Sequence, residues 1–356
     1  MTPLETRLSA LRDPETGLSL ADTGARIRAA ASEGRAAVAI TLGYPAERWR
    51  PDLQAAVGAA VAAEGFALAS LELQHRIDAH APQGTLAPLP RIRNVIAVGS
   101  GKGGVGKSTT AVNLAIALAQ DGARVGVLDA DVYGPSIPTM LGLTGRPDSP
   151  DGKAIEPMRA HGLDAMSIGL MVEQDTPMIW RGPMATSALT QLLEQTLWGS
   201  EGQLDYLIVD LPPGTGDIQL TLAQKIPVAG AIVVTTPQDV ATLDARKALR
   251  MFEKVNVPVL GLIENMAVHV CSNCGHVEHL FGQGGGERIA AQYGVPLLGS
   301  LPLDIGIREQ GDAGTPIVAS APDSTAAAAY RATARRVAAA LAQRPRAPVS
   351  LGAQLL

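Results

Sequence analysis

Gly99-Ser-Gly-Lys-Gly-Gly-Val-Gly-Lys-Ser-Thr109 is the stretch from which the rest of the chain can be read. It follows an apolar run, Asn94-Val-Ile-Ala-Val98, which predicts a buried strand. It opens Thr110-Ala-Val-Asn-Leu-Ala-Ile-Ala-Leu-Ala119, which predicts a helix. Gly101, Gly106, Lys107 and Ser108 fill the frame G-x-x-x-x-G-K-[ST] of a phosphate-binding loop. Glycines let successive backbone N–H groups converge on one anion, and the helix N-terminus adds partial positive charge. Gly101, Gly103, Gly104, Val105, Gly106 and Thr109 would line that cradle, with Lys107 reaching the β/γ-phosphates and the Ser108 hydroxyl holding Mg²⁺. A glycine-rich loop alone is most often only a turn; the strand before it and the helix after it make this one a nucleotide site.

The 356 residues are enough for a large core, and the formal charge of −5 argues against nucleic acid or an anionic membrane as a partner. No apolar run approaches a membrane span and Met1-Thr-Pro-Leu-Glu-Thr6 lacks signal-peptide character, so a cytoplasmic location is expected. Two cysteines cannot form a disulfide framework, and metal or redox use is the better expectation.

Residues 1–80 read as a small α+β unit: helices over 4–11 and 53–64, strands over 36–42 and 67–73. Residues 81–91 read as a Pro-containing linker and 344–356 as a mobile tail. Between them, 92–343 alternates strands and helices, with strands at 94–99, 124–128, 163–168, 206–209, 231–235, 259–263 and 296–299 and a packing helix over 326–343. Continuous apolar strands with helical crossovers imply an α/β fold, a mostly parallel sheet flanked by helices, with ligands at the carboxyl ends of its strands.

Three further stretches sit at such ends. Leu128-Asp-Ala-Asp-Val-Tyr-Gly-Pro-Ser136 offers Asp131 to orient an attacking water and Asp129 nearer the Mg²⁺. Tyr206-Leu-Ile-Val-Asp-Leu-Pro-Pro-Gly-Thr-Gly-Asp217 delivers Asp210 to the metal and follows it with a loop able to change shape with the γ-phosphate. Val270-Cys-Ser-Asn-Cys-Gly-His-Val-Glu-His279 holds both cysteines as C-x-x-C. The pair does not open a helix beside an early strand, which removes a thioredoxin-like reading. An iron–sulfur half-site remains, and so does a zinc site closed by Cys271, Cys274, His276 and His279.

Lys102-Gly-Gly-Val-Gly-Lys-Ser-Thr109 resembles the deviant loop of the P-loop NTPases that include division-site, plasmid-partition and nitrogenase iron proteins. That resemblance implies a homodimer in which Lys102 acts catalytically on the partner's nucleotide beside Lys107, Asp131 and Asp210. By the same resemblance Asn265, in Glu264-Asn-Met266, reads adenine. Together with Asp129-Ala-Asp-Val-Tyr-Gly-Pro-Ser-Ile-Pro138, Asp210-Leu-Pro-Pro-Gly-Thr-Gly-Asp217 and Cys271-x-x-Cys274-Gly, the loop is similar to that of the Mrp-type (ApbC-like) iron–sulfur cluster carrier ATPases. Leu11-Arg-Asp-Pro-Glu-Thr-Gly-Leu18 resembles the start of the PaaD-like iron–sulfur assembly domain, though Thr41-Leu-Gly-Tyr-Pro45 lacks the cysteine common there. The resemblance implies ATP, Mg²⁺ and a 4Fe–4S cluster bridged by two C-x-x-C pairs, received from scaffold proteins and passed to apoproteins. The rivals are a positioning-type switch ATPase with a structural zinc site, and an electron-transfer ATPase, whose cluster cysteines lie far apart in sequence.

Overall fold

The computed structural model describes residues 2–171 and 182–347. Its first part contains α1 (Pro3–Ser9), β1 (Arg26–Ser32), β2 (Arg35–Leu42), α2 (Arg50–Ala63) and β3 (Ala67–His75). Thr2 and Glu5 form a reciprocal capping box that starts α1, with Pro3 in the first turn. β1 and β2 pair antiparallel through Glu33 (φ 50°) and Gly34 (φ 76°), two left-handed residues that suit a tight hairpin. β3 returns parallel to β2 after α2. Val38, Ile40 and Leu42 alternate inward onto α1 and α2, whose Leu53, Val57, Ala60 and Val61 recur at helical spacing.

The second part runs β4 (Ile92–Gly99), α3 (Lys107–Gln120), β5 (Val125–Asp129), α4 (Ile137–Met140), β6 (Met158–Ala160), β7 (Leu163–Ser167), α5 (Gly182–Gln195), β8 (Leu204–Asp210), α6 (Asp217–Lys225), β9 (Gly230–Thr235) and α7 (Asp239–Lys254). It continues through β10 (Val259–Val270), β11 (Val277–Glu278), α8 (Gly285–Tyr293), β12 (Leu297–Pro302), α9 (Ile305–Asp312), α10 (Ile317–Ser320) and α11 (Thr325–Ala342). The strands form one sheet in the order β11-β10-β9-β4-β8-β5-β7-β6, with β12 also paired to β10. Among the described strands of this sheet, only the β6–β7 and β10–β11 pairs are antiparallel.

The pleat sorts the apolar runs onto two faces. Ile96, Val98, Tyr206 and Ile208 pack toward α3 and α11, whereas Val95, Ala97, Leu207 and Val209 pack toward α5, α6 and α7. The first of these cores is continuous with the small unit, reaching Leu4, Leu8 and Trp49.

Differences from the sequence reading lie at the periphery. β1, β6 and β11 were not expected, and β10 runs on to Val270 rather than stopping at Ile263. The stretch 81–91 is not loosely held. Gln83 donates through Nε2 to the carbonyls of Ala223 and Ile226, each at 2.7 Å, and accepts from Val228 N at 2.7 Å. His80 is buried and donates from its backbone N and ring Nδ1 to Asn94 Oδ1. Of the expected mobile tail, Arg346 pairs with Asp78 at 3.0 Å and Ala347 N donates to Ala79 O, while 348–356 lie outside the described residues.

Candidate functional site

β4 ends at Gly99, and the loop from Ser100 to Gly106 turns the chain into α3. Gly104 (φ 79°) and Gly106 (φ 78°) are left-handed, so the loop's backbone curls in a way an L side chain resists. Gly106 is the N-cap of α3, leaving the first amides of that helix free for an anion. Gly101 has a different reason to be glycine: a methyl group there would overlap the carbonyl of Asp244 on α7.

Register then brings the acidic residues to this loop. β8 lies between β4 and β5, and Asp210 pairs with Val98 on one side and Asp129 on the other. Both carboxylates are fully buried. Lys107, itself 5% exposed, donates from Nζ to Asp210 Oδ1 at 2.5 Å and lies 3.3 Å from Ser108 Oγ. Asp210 Oδ2 is buried without a hydrogen-bond partner. An orphaned carboxylate oxygen beside a lysine and a serine hydroxyl is a donor set suited to Mg²⁺ and phosphate.

Asp129 is fully engaged by protein. Oδ1 accepts from Asp131 N, and Oδ2 accepts from Ile137 N and Ser167 Oγ. Burial, and then the negative charge of Asp210, push its carboxyl up to about 7. Burial pushes Asp210 up as well, against the opposing pull of Lys107. Asp131 is 9% exposed, and its Oδ1 accepts from Tyr133 N and Gly134 N, each at 3.3 Å. It is thus both a turn former and a carboxylate at the loop's edge. The segment after Asp210 is tied to the phosphate loop by Gly214 N, which donates to Ser100 O at 2.9 Å.

Lys102 is half-exposed and enters no ion pair among the described residues. Asn265, the expected base reader, is buried and gives its Nδ2 to Val105 O at 2.9 Å. Its donor is therefore committed to the phosphate loop. Ser167, at the end of β7, and the α7 backbone at Asp244 both bear on the site and were missed from sequence.

Cys271 and Cys274 sit in the turn that joins β10 to β11, where Val270 pairs with Val277. Gly275 N donates to Cys271 O and Cys271 N to His276 O, which closes the turn. Cys274 is exposed and Cys271 half-buried, both as free thiols. The backbone N–H groups of Cys274 and then Asn273 hold the Cys271 thiol below its ordinary range. The four-ligand zinc site does not assemble. His276 lies beside Glu278, and His279 donates from Nδ1 to Ala267 O at 2.9 Å. Among the described residues no group of three or more His, Cys, Asp or Glu side chains is arranged around a metal position.

Fold and loop together define a P-loop nucleotide hydrolase. A family model described as NUBPL iron-transfer P-loop NTPase matches residues 91–338, and one described as iron–sulfur cluster assembly protein matches 3–65. The chain belongs to the NUBPL iron-transfer P-loop NTPase family. It is 62% identical over 251 residues to an iron–sulfur cluster carrier protein of Escherichia coli, covering 70% of this chain and 67% of that one. It is 50% identical over 260 residues to the mouse iron–sulfur cluster transfer protein NUBPL, covering 72% and 81%. Among solved structures, a nucleotide-binding protein of Archaeoglobus fulgidus in complex with ADP superposes with a TM-score of 0.56 at 39% identity, covering 63% of this chain and 87% of that one. The Pyrococcus furiosus cell division ATPase MinD shares the fold, with a TM-score of 0.51 at 22% identity, covering 68% and 98%. No described helix is long and apolar enough to cross a membrane.

Proposed function

We propose that this chain is a cytoplasmic, ATP-hydrolysing carrier that takes a 4Fe–4S cluster from a scaffold protein and gives it to apoproteins, working as a homodimer. One observation carries the reading: the only two thiols of the chain project from the same carboxyl edge of the sheet that holds the phosphate loop. A 4Fe–4S cluster takes four thiolates and each chain supplies two, so a two-fold pair of chains completes the set.

The surface supports a second copy on this edge. The large apolar side chains exposed among the described residues include Tyr133, Val240, Leu243, Val270, Val277 and Ile305, all on segments leaving the carboxyl ends of parallel strands. Lys102, half-exposed on the same edge, is placed to reach a facing nucleotide. Gly101 to Thr109 would hold ATP, Ser108 and Asp210 would hold Mg²⁺ with Asp129 behind them, and Asp131 would orient the water. Asn265 would meet the base through its carbonyl oxygen or after releasing Val105.

Anaerobic reconstitution with iron and sulfide analysis tests the carrier reading. About four irons and four sulfides per dimer are expected, lost in Cys271→Ala/Cys274→Ala. One tightly held zinc per chain without sulfide would overturn it.

A further inference from the structure

Far from the phosphate loop, the small unit and α11 enclose a cavity of about 270 Å³ lined by Pro14, Glu15, Arg48, Trp49, Asp52, Ala328, Arg331, Ala332 and Arg335. Its charged groups are unusually poorly paired. Arg48 donates to the side-chain amide of Gln120, and Arg331 to the carbonyl of Pro322; neither has a carboxylate within ion-pair distance among the described residues. Arg335 is 7% exposed, yet its nearest carboxylate oxygens, on Asp13 and Asp121, stand 3.7 and 3.6 Å away. Its Nε is buried with no hydrogen-bond partner.

Three guanidiniums facing one space repel one another. Burial first, and then the charge of Arg48, make the Arg331 cation less favourable than in water. A buried guanidinium with an unmet donor is costly, and arginines converge in this way where a planar fork can bind an oxyanion in bidentate fashion. Two lining carboxylates, Glu15 and Asp52, oppose an anion, and the three guanidiniums outnumber them. The volume fits a phosphate group with its hydrogen-bonding water.

We propose that this cavity is a binding site for a phosphate-class oxyanion, which bridges Arg48 of the small unit to Arg331 and Arg335 of α11 and so fastens the two units together. Asp121 directly follows α3, the helix that opens at the phosphate loop, so an occupied cavity would bear on that helix from its far end.

The phosphate loop also binds phosphate, so the test uses full-length protein saturated with Mg·ADP. Inorganic phosphate, pyrophosphate, glycerol phosphate and citrate are each titrated by calorimetry, with Trp49 fluorescence as a local readout. Phosphate should bind with one site per chain, weakened tenfold or more in Arg48→Gln and in Arg331→Gln. Asp52→Asn should bind several-fold more tightly, a gain that mere loss of folding cannot imitate. Tighter binding of glycerol phosphate than of inorganic phosphate would mark a phosphoester as the source, and the reverse free phosphate. Equal binding by wild type and both arginine variants, no binding at tens of millimolar, or binding of citrate alone would overturn the proposal.

Discussion

At the scale of single residues, Asn265 separates what a motif implies from what geometry does. Its place after β10 is that of a base reader, yet its amide donates to Val105 O and thereby braces the phosphate loop. Asn265→Ala removes that brace and leaves a buried carbonyl unpaired, at about 1–3 kcal/mol. Binding of pyrophosphate, which has no base, should therefore weaken by about tenfold along with ATP, since 1.4 kcal/mol is a factor of ten. Unchanged pyrophosphate affinity with weakened ATP would make Asn265 a base reader alone. The ring of His80 makes a second residue-scale prediction. Burial holds it below its ordinary value of 6.5, with Asn94 pulling the other way. The unfolded chain therefore binds the proton more readily than the folded one. The stability His80 supplies is complete above pH 6.5 and is lost as the pH falls through its folded value. In denaturant titrations from pH 8 to 5, wild type should lose stability relative to His80→Gln; parallel curves would show that the ring does not titrate on unfolding.

At the scale of elements, the phosphate loop is wedged between α7 and β10, and its glycines answer to both. Gly101 lies so close to the Asp244 carbonyl that a methyl group forces loop and helix apart, and Gly106 stands against the Asn265 amide. Gly101→Ala should cost about 1–3 kcal/mol in thermal unfolding and weaken ADP binding at least tenfold, with both losses traceable to α7. Normal ADP affinity in a destabilised variant would mean that α7 supports the fold but not the loop. The sequence offered half of this. Alternation of apolar strands and helices gave the sheet, because a strand buried on both faces must be apolar throughout, as all seven residues of β8 are buried. Asp129 and Asp210 were legible as strand-end acids for the same reason. β1 was not legible, because Arg26-Ile-Arg-Ala-Ala-Ala-Ser32 is an edge strand with mostly exposed small and charged side chains. The extension of β10 was hidden by Glu264-Asn-Met266, where Met266 adopts φ 55° and the register with β12 shifts. Contacts made by backbone, such as Asp244 against Gly101, leave no signature in side-chain pattern.

At the scale of the whole molecule, the question is whether the small unit and the nucleotide unit are one folding body. Their cores are continuous from Leu4 through Trp49 to α3 and α11. Across the seam, the Tyr44 hydroxyl donates to Asp13 Oδ2 at 2.8 Å and Arg336 Nε donates to Glu15 O at 2.6 Å. Glu47 N and Arg48 N both donate to Asp121, to its carbonyl and its carboxylate respectively. Arg335 stands between Asp13, in the turn of the small unit, and Asp121, at the end of α3. Both carboxylates are buried, so the arginine is the cation that lets them approach each other. Arg335→Met keeps most of the side-chain volume and removes the charge. It leaves two buried acids facing each other, an arrangement costing about 3–5 kcal/mol. Adding Asp13→Asn should recover part of that loss, because it removes one of the two stranded charges while the Tyr44 hydroxyl keeps an acceptor. Wild type should unfold in a single transition by both fluorescence and far-UV circular dichroism, and Arg335→Met should shift that transition or split it. Two separated transitions in wild type, or an Arg335→Met variant within about 0.5 kcal/mol of it, would mean that the apolar core joins the units and the arginine merely sits between them.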